Sequence, residues 1–227
     1  MSRRERERER RRGEMIAAAR TMFARIGYAQ TKLEDVADLA EFGKGTLYNY
    51  FPNKEALFAS VLEDTFRGFL TIFEETLGTD RPFEEKIRLC TERSLRYAFG
   101  NPEGIALMMR ESHYLRDNNP LMKLHPQLLE LLADTIAAEQ RANRATLHHD
   151  PAQIAMLLMN MVMGQFINRL QLCFRNIACD PLITSDQDVA GQVFEQIRRQ
   201  NLEEDVAQAT KLVCHIFFQG VYRDDSD

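Results

Sequence analysis

The sequence predicts an all-α protein: a small N-terminal domain of three helices with a helix-turn-helix layout, then a larger helical domain. Three observations carry that prediction. Apolar residues recur at spacings of three and four along nearly the whole chain, the period of a helix with one buried stripe. Gly and Pro punctuate the chain at intervals of helix length. Beyond Gly78 no segment of useful length alternates with the period of a strand.

Residues 2–12 hold seven Arg and three Glu and nothing that can bury itself, so a disordered arm or a frayed helix extension is expected. From residue 13 the pattern changes: Met15, Ile16, Ala19, Met22, Phe23 and Ile26 share a helical face, and Gly27 ends the run as a C-terminal cap. A second helix places Leu33, Val36, Ala37 and Ala40 together. Thr31 or Lys32 stands at its start, Thr31 being the better cap, with Glu34 at the capping-box spacing. A third, very short helix runs from about Lys44 to Phe51. Pro52 breaks the chain, and Asn53 caps a fourth helix from Lys54 to about Leu77. The apolar residues of that helix cover more than one stripe, so it must touch two bodies. Further helices are expected from Pro82 to about Phe99, Pro102 to Tyr114, Pro120 to Ala145 (tolerating Pro126), Pro151 to Asn176, Asp186 to Gln200 and Leu202 to Tyr222.

The chain of 227 residues is long enough for one large or two small cores, with 44% hydrophobic and 28% charged residues. The net charge of −5 argues at first against a nucleic-acid partner, but the charge is unevenly placed. Residues 1–60 carry 12 Lys/Arg and 9 Asp/Glu, net +3, leaving −8 on the remaining 167. A basic end on an acidic body suits a protein that offers one face to phosphate. Cys90, Cys173, Cys179 and Cys214 are scattered, and the Arg-rich start leads into an amphipathic segment, not an apolar one. A cytoplasmic protein with reduced thiols is therefore expected. The richest apolar stretch, Ile154 to Ile167, is too short and polar to span a bilayer, so no membrane partner is expected.

The chemistry concentrates at Gly43 to Phe58. Leu47 and Phe51 lie four apart and face inward, which leaves Lys44, Thr46, Tyr48, Asn49 and Tyr50 outward. A merely solvated helix carries Glu, Lys or Ala there. Hydroxyls suit phosphate oxygens, Lys44 a phosphate or guanine, Asn49 an adenine edge, and Gly45 lets the backbone come close.

Residues 14–58 resemble the TetR/AcrR family of bacterial transcriptional regulators. The resemblance rests on helix one with its Gly27-Tyr28 ending, Thr31, Val36-Ala37, Ala40, the run Lys44-Gly45-Thr46-Leu47-Tyr48, Phe51 and Lys54-Glu55-x-Leu57. It implies that Lys44, Gly45, Thr46, Tyr48, Asn49 and Tyr50 contact double-stranded operator DNA. It further implies that Lys54 grips a phosphate and that Thr31 and Lys32 touch the DNA backbone. Three positions depart from the pattern. Glu41 stands for a turn glycine, where a left-handed conformation is strained. Gly43 stands for a Ser cap, and Glu34 stands where many relatives place a base-reading residue, so that a carboxylate there repels phosphate or selects a cytosine amino group.

The resemblance divides the chain into an arm (1–12), a helix-turn-helix domain (13–59) and a ligand-binding and dimerisation domain (60–227). It implies a homodimer through about 151–176 and 202–222, with His149-Asp150-Pro151 as the entry to the first interface helix. A small, largely apolar effector is expected in a cavity with Phe69, Phe73, Met109, Met159, Met163 and Phe166 as apolar candidates, and Arg96, Arg110, His113 and Tyr114 as polar ones. The alternative for each of these residues is ordinary core or dimer packing. His148 and His149 point different ways and lack partners at ligand spacing, so no metal and no cofactor is expected. The expected function is a ligand-responsive regulator, a repressor released by its effector. The alternatives are an activator, a DNA-binding protein without a small ligand, and an all-α enzyme, for which no nucleophile elbow, phosphate loop or paired carboxylate stands out.

Overall fold

The computed structural model describes residues 2–110, 115, 119–142, 149–178, 188–199 and 202–222. Among these, all regular structure is helical: α1 (Arg3–Gln30), α2 (Leu33–Leu39), α3 (Lys44–Tyr50), α4 (Lys54–Leu77), α5 (Phe83–Gly100), α6 (Pro102–Arg110), α7 (Leu121–Arg141), α8 (Pro151–Ala178), α9 (Val189–Arg199) and α10 (Leu202–Tyr222). No helix among the described residues is long and apolar enough to cross a membrane. The chain packs as two units. One comprises Met1–Phe66 with Asn101–Met122, the other Arg67–Gly100 with Lys123–Asp227, and α4 contributes to both.

The first unit is held by the apolar stripes read above. Met15, Ile16, Ala19 and Phe23 of α1 are buried with Val36 and Ala37 of α2, Leu47 of α3, and Leu57, Phe58, Val61 and Leu62 of α4. The Phe23 ring meets Phe58 edge-on at 4.9 Å, and Tyr28 lies 5.0 Å from the same ring. The regular path of α1 breaks at Gly27 (φ 84°, ψ 161°), a conformation that costs a side-chain-bearing residue but not glycine. Helix α6 packs against α1 and buries Ile105 and Leu107. At Gly104 a Cβ would lie 2.5 Å from Thr65 Oγ1, so only glycine lets α6 pass this close to α4.

Two expectations for this unit left alternatives open. Of the two readings of segment 2–12, the structure gives the helix extension and not the disordered arm: it is the start of α1, opened by a capping box in which Ser2 Oγ accepts from the Glu5 N–H and Glu5 accepts from the Ser2 N–H. Its charges pair along the helix, Glu7 with Arg10 and Arg11, and Arg10 with Glu14. Thr31 does not cap α2. Lys32 occupies that position without a side-chain bond, while the Thr31 hydroxyl and N–H both donate back to Gly27 O and close α1. Asn53 does cap α4, its Oδ1 accepting from the Ala56 N–H at 2.7 Å.

In the second unit α10 packs on α5, and α8 packs on α5, α9 and α10. Phe99 and Phe166 stack at 6.3 Å in its interior, and Phe69 meets Tyr97 at 5.0 Å. Helix α8 buries Ile154, Ala155, Leu158, Phe166 and Cys173 but leaves Met156, Leu157, Leu172 and Phe174 exposed. Helix α10 buries Val206, Val213 and Phe217 and exposes Leu212 and Ile216.

Candidate nucleic-acid interface

Helix α2 ends at Leu39, and the chain turns through Ala40 and Glu41, the latter in the left-handed region at φ 58°. The Phe42 N–H donates to Ala37 O at 2.9 Å and fastens the turn. Gly43 then occupies the N-cap of α3 with no side chain to offer. Leu47 and Phe51 are buried, so the axis of α3 is pinned and its other face is presented outward.

On that face Lys44, Gly45, Tyr48 and Asn49 are exposed, Thr46 and Tyr50 half-buried. Tyr48 keeps 41% of its surface. A Cβ added at Gly45 would meet nothing, so the backbone there is open to a partner. The Lys44 ammonium lies 5.9 Å from the Tyr48 ring and pairs with the Glu34 carboxylate of α2. The Lys44 hydrogen bond holds Glu34 below the usual carboxylate range, and the same contact raises Lys44. Lys32 is exposed at the start of α2.

Helix α1 flanks this surface. The Arg8 guanidinium lies 5.8 Å from the Tyr50 ring, Arg12 lies 5.6 Å from Phe51, and Arg12 donates to Ser60 Oγ. The helix-extension reading of residues 2–12 names this segment, and Ser2-x-x-Glu5 and the Glu7/Arg10/Arg11/Glu14 spacing signal it.

Two residues expected to touch the DNA backbone are placed differently. Thr31 is only 1% exposed and its hydroxyl is spent on Gly27 O. Lys54 donates to the carbonyls of Tyr28 (2.8 Å), Ala29 (3.1 Å) and Thr31 (3.1 Å), with its ammonium 4.6 Å from the Tyr28 ring. All three ammonium protons are thereby engaged. Lys54 ties the start of α4 to the end of α1.

Residues 15–61 match the family model described as bacterial regulatory proteins, tetR family. Its N-terminal domain belongs to the tetR family. The TetR-type segment is 37% identical over 86 residues to the HTH-type transcriptional regulator RutR of Escherichia coli (strain K12), covering 37% of this chain and 41% of that protein. The match thus spans about two-fifths of the length of this curated relative. The whole TetR-like fold is shared with solved structures. A fatty acid degradation regulator, FadR from Bacillus halodurans, superposes with a TM-score of 0.66 at 16% identity, covering 90% of this chain and 94% of that one. FadR from Bacillus subtilis, solved in complex with stearoyl-CoA, gives 0.58 at 20% identity, covering 82% and 97%. At these identities the likeness shows the fold alone.

The expected effector residues are distributed over both units. Met109 and Arg110 belong to the first unit and are exposed; Phe69, Phe73, Phe166, Met159, Met163 and Arg96 belong to the second. His113 and Tyr114 lie outside the described residues. Phe69, Phe73 and Phe166 are buried packing residues, Phe166 with no exposure at all. Arg96 lines an open groove of about 1040 Å³ along α5 and α10, and there it pairs with Glu92 and Glu203. None of the other candidates lies on its wall. The groove is lined by Glu84, Arg88, Glu203 and Lys211 together with Val206, Ala207, Cys214 and Phe218, and most of its lining surface is apolar.

Burial pushes the Cys90 thiol up to about 12 and raises Cys173 and Cys214 as well. These three are free and buried. Cys179 and His148 lie outside the described residues. No group of His, Cys, Asp and Glu among the described residues is placed to hold a metal ion.

Proposed function

We propose that the protein is a ligand-responsive transcriptional repressor that binds a palindromic operator as a homodimer and is released by a small, largely apolar effector. The observation that carries the DNA-binding part is the outer face of α3. Leu47 and Phe51 anchor the helix while Lys44, Thr46, Tyr48, Asn49 and Tyr50 present donors and acceptors suited to phosphates and base edges. In a symmetric dimer two such helices enter successive major grooves about 34–36 Å apart.

The apolar residues that α8 and α10 leave exposed support dimerisation, since one copy of the chain offers nothing that covers them among the described residues. The stearoyl-CoA held by one structural neighbour supports an effector with a long apolar tail. Helix α4 supplies residues to both units, so a ligand that favours one placement of α4 biases the other unit through the same rod. Helix-turn-helix regulators act on DNA in the cytoplasm, which is the proposed location.

The direct experiment is a gel shift of the full chain against the DNA upstream of its own coding sequence, at low salt, with and without long-chain acyl compounds. A retarded band that acyl compounds dissolve supports both parts of the proposal. No retardation in either condition overturns it. Thermal-shift screening of the same compounds identifies those bound by the native state, because they raise the melting temperature.

A further inference from the structure

Glu34 and Lys44 come from different helices of the helix-turn-helix, yet their charged ends meet. Glu34 stands in the first turn of α2 and Lys44 is the first residue of α3. The two side chains retain 44% and 58% of their surface, so the pair sits on the outer side of the domain. An ion pair this exposed adds little to folding. The α2–α3 packing does not depend on it either, because Leu33, Val36, Ala37 and Leu47 are buried beneath. What the pair does achieve is to set a compact donor and an acceptor side by side at the entry of the recognition helix.

The ammonium has three protons, of which Glu34 needs one, and a carboxylate has lone pairs beyond those that Lys44 uses. In the major groove a G·C pair presents guanine N7 and O6, both acceptors, and then the cytosine N4 amino donor. An ammonium beside a carboxylate matches that order, the ammonium over N7 and O6 and the carboxylate on N4. An A·T pair presents N7, the N6 amino group, O4 and a methyl group. There a carboxylate on N6 is flanked by acceptors on both sides, and no placement gives the ammonium two neighbouring acceptors.

We infer that Glu34 and Lys44 act as one unit that reads a G·C base pair in each half-site, Lys44 on the guanine and Glu34 on the cytosine amino group. This rests on the DNA-binding reading and names the residue that sharpens it. Glu34 is a specificity-determining residue: it holds Lys44 away from phosphate, and its own charge weakens binding to every sequence that lacks the matching pair.

The test is a selection from a randomised duplex pool with the purified full chain and with Glu34→Gln and Lys44→Gln. Binding of the selected duplex and its single-pair substitutions is then titrated at several salt concentrations. The wild type is expected to prefer G·C over A·T about tenfold or more at one pair per half-site, and both variants to lose that preference at the same pair. Glu34→Gln should also bind unselected DNA more tightly, with a salt slope steeper by about one as Lys44 turns to a phosphate. Both positions are exposed, and an unchanged melting temperature shows that the variants fold. Variants that select the wild-type sequence with undiminished preference at every pair overturn the inference while leaving DNA binding intact. A wild-type chain that selects no sequence overturns the DNA-binding reading, and this inference with it.

Discussion

The outward face of α3 and the exposed faces of α8 and α10 are both uncovered in a single chain, and their chemistry is opposite. On α3 the exposed groups are an ammonium, a phenol, an amide and open backbone at Gly45. On α8 and α10 they are Leu157 at 63% exposure, Phe174 at 48% and Ile216 at 53%. The first surface is content in water and needs a polyanion only to function. The second costs free energy until something apolar covers it. Under the proposed function, one chain thus carries a reading surface that tolerates being empty and an assembly surface that does not, the order of events a dimeric DNA-binding protein needs.

The largest expected effect comes from spoiling the assembly surface. Leu157→Glu combined with Ile216→Glu places two charges per copy where apolar residues are exposed, and should weaken self-association by about 100-fold or more. Sedimentation equilibrium at micromolar concentration should then find monomers where the wild type forms dimers, and binding to a palindromic duplex should fall with it. A variant that stays dimeric shows that the interface lies elsewhere and removes half of the contrast.

On the reading surface, Lys54 and Tyr48 separate architecture from contact. Lys54→Ala strips three carbonyls of a charged donor and should destabilise the first unit by about 2 kcal/mol, seen as a lower melting temperature. The salt slope of DNA binding should stay as it was. Tyr48→Ala removes a largely exposed ring, so the melting temperature should hold while operator affinity falls about tenfold. The reverse pattern for Lys54, full stability with a slope flatter by about one, restores its role as a phosphate contact.

These two residues also show what the sequence could and could not reveal. Helix boundaries were legible because their signals are local: Pro52, Pro102 and Pro151 each stand at or beside a helix start, and Gly27 breaks α1 where a left-handed residue was expected. The inward pair Leu47 and Phe51 followed from spacing alone, and with it the outward set on α3. Lys54 was different, because its partners lie 23 to 26 residues earlier and are backbone carbonyls gathered by the turn after α1, which no side-chain pattern reports. Thr31 was equally consistent with capping the helix after it or closing the one before; only the packed turn decides. The effector candidates were less legible for a related reason. Phe and Met at helical spacing are the residues of any core, so their types could not distinguish a cavity wall from filled packing.

A smaller effect is expected at Glu41, whose left-handed backbone is the strained point of the α2–α3 turn. Glu41→Gly removes a penalty of about 1–2 kcal/mol but adds roughly 0.5–1 kcal/mol of chain entropy, so a net gain of at most about 1.5 kcal/mol is expected in a denaturant melt. Since Glu41 is exposed, the gain should come with one fewer negative charge beside α3 and slightly tighter DNA binding at low salt. A loss of stability argues that the turn relies on a contact of the Glu41 side chain.

The smallest effect belongs to the α1 extension, which supplies arginines beside the reading surface. The hydrogen bond from Arg10, and then that from Arg11, hold the Glu7 carboxyl down at about 2 from its ordinary value of 4.5. A carboxyl lowered on folding contributes stability above its unfolded value and loses it as pH falls through the folded one. The support Glu7 gives to this segment is therefore whole above about pH 4.5 and gone near pH 2. All partners are exposed, so the change is confined to residues 3–12 and is screened by salt. Backbone chemical shifts of those residues should move toward coil between pH 5 and about 2 while residues 33–50 respond to their own groups, and Glu7→Gln should show the loosened segment already at pH 6. If the segment is equally helical in Glu7→Gln at every pH, the capping box and not the ion pairs holds it. Its arginines then reach the reading surface by helix propagation alone, and the contrast between the two surfaces no longer depends on charge pairing along α1.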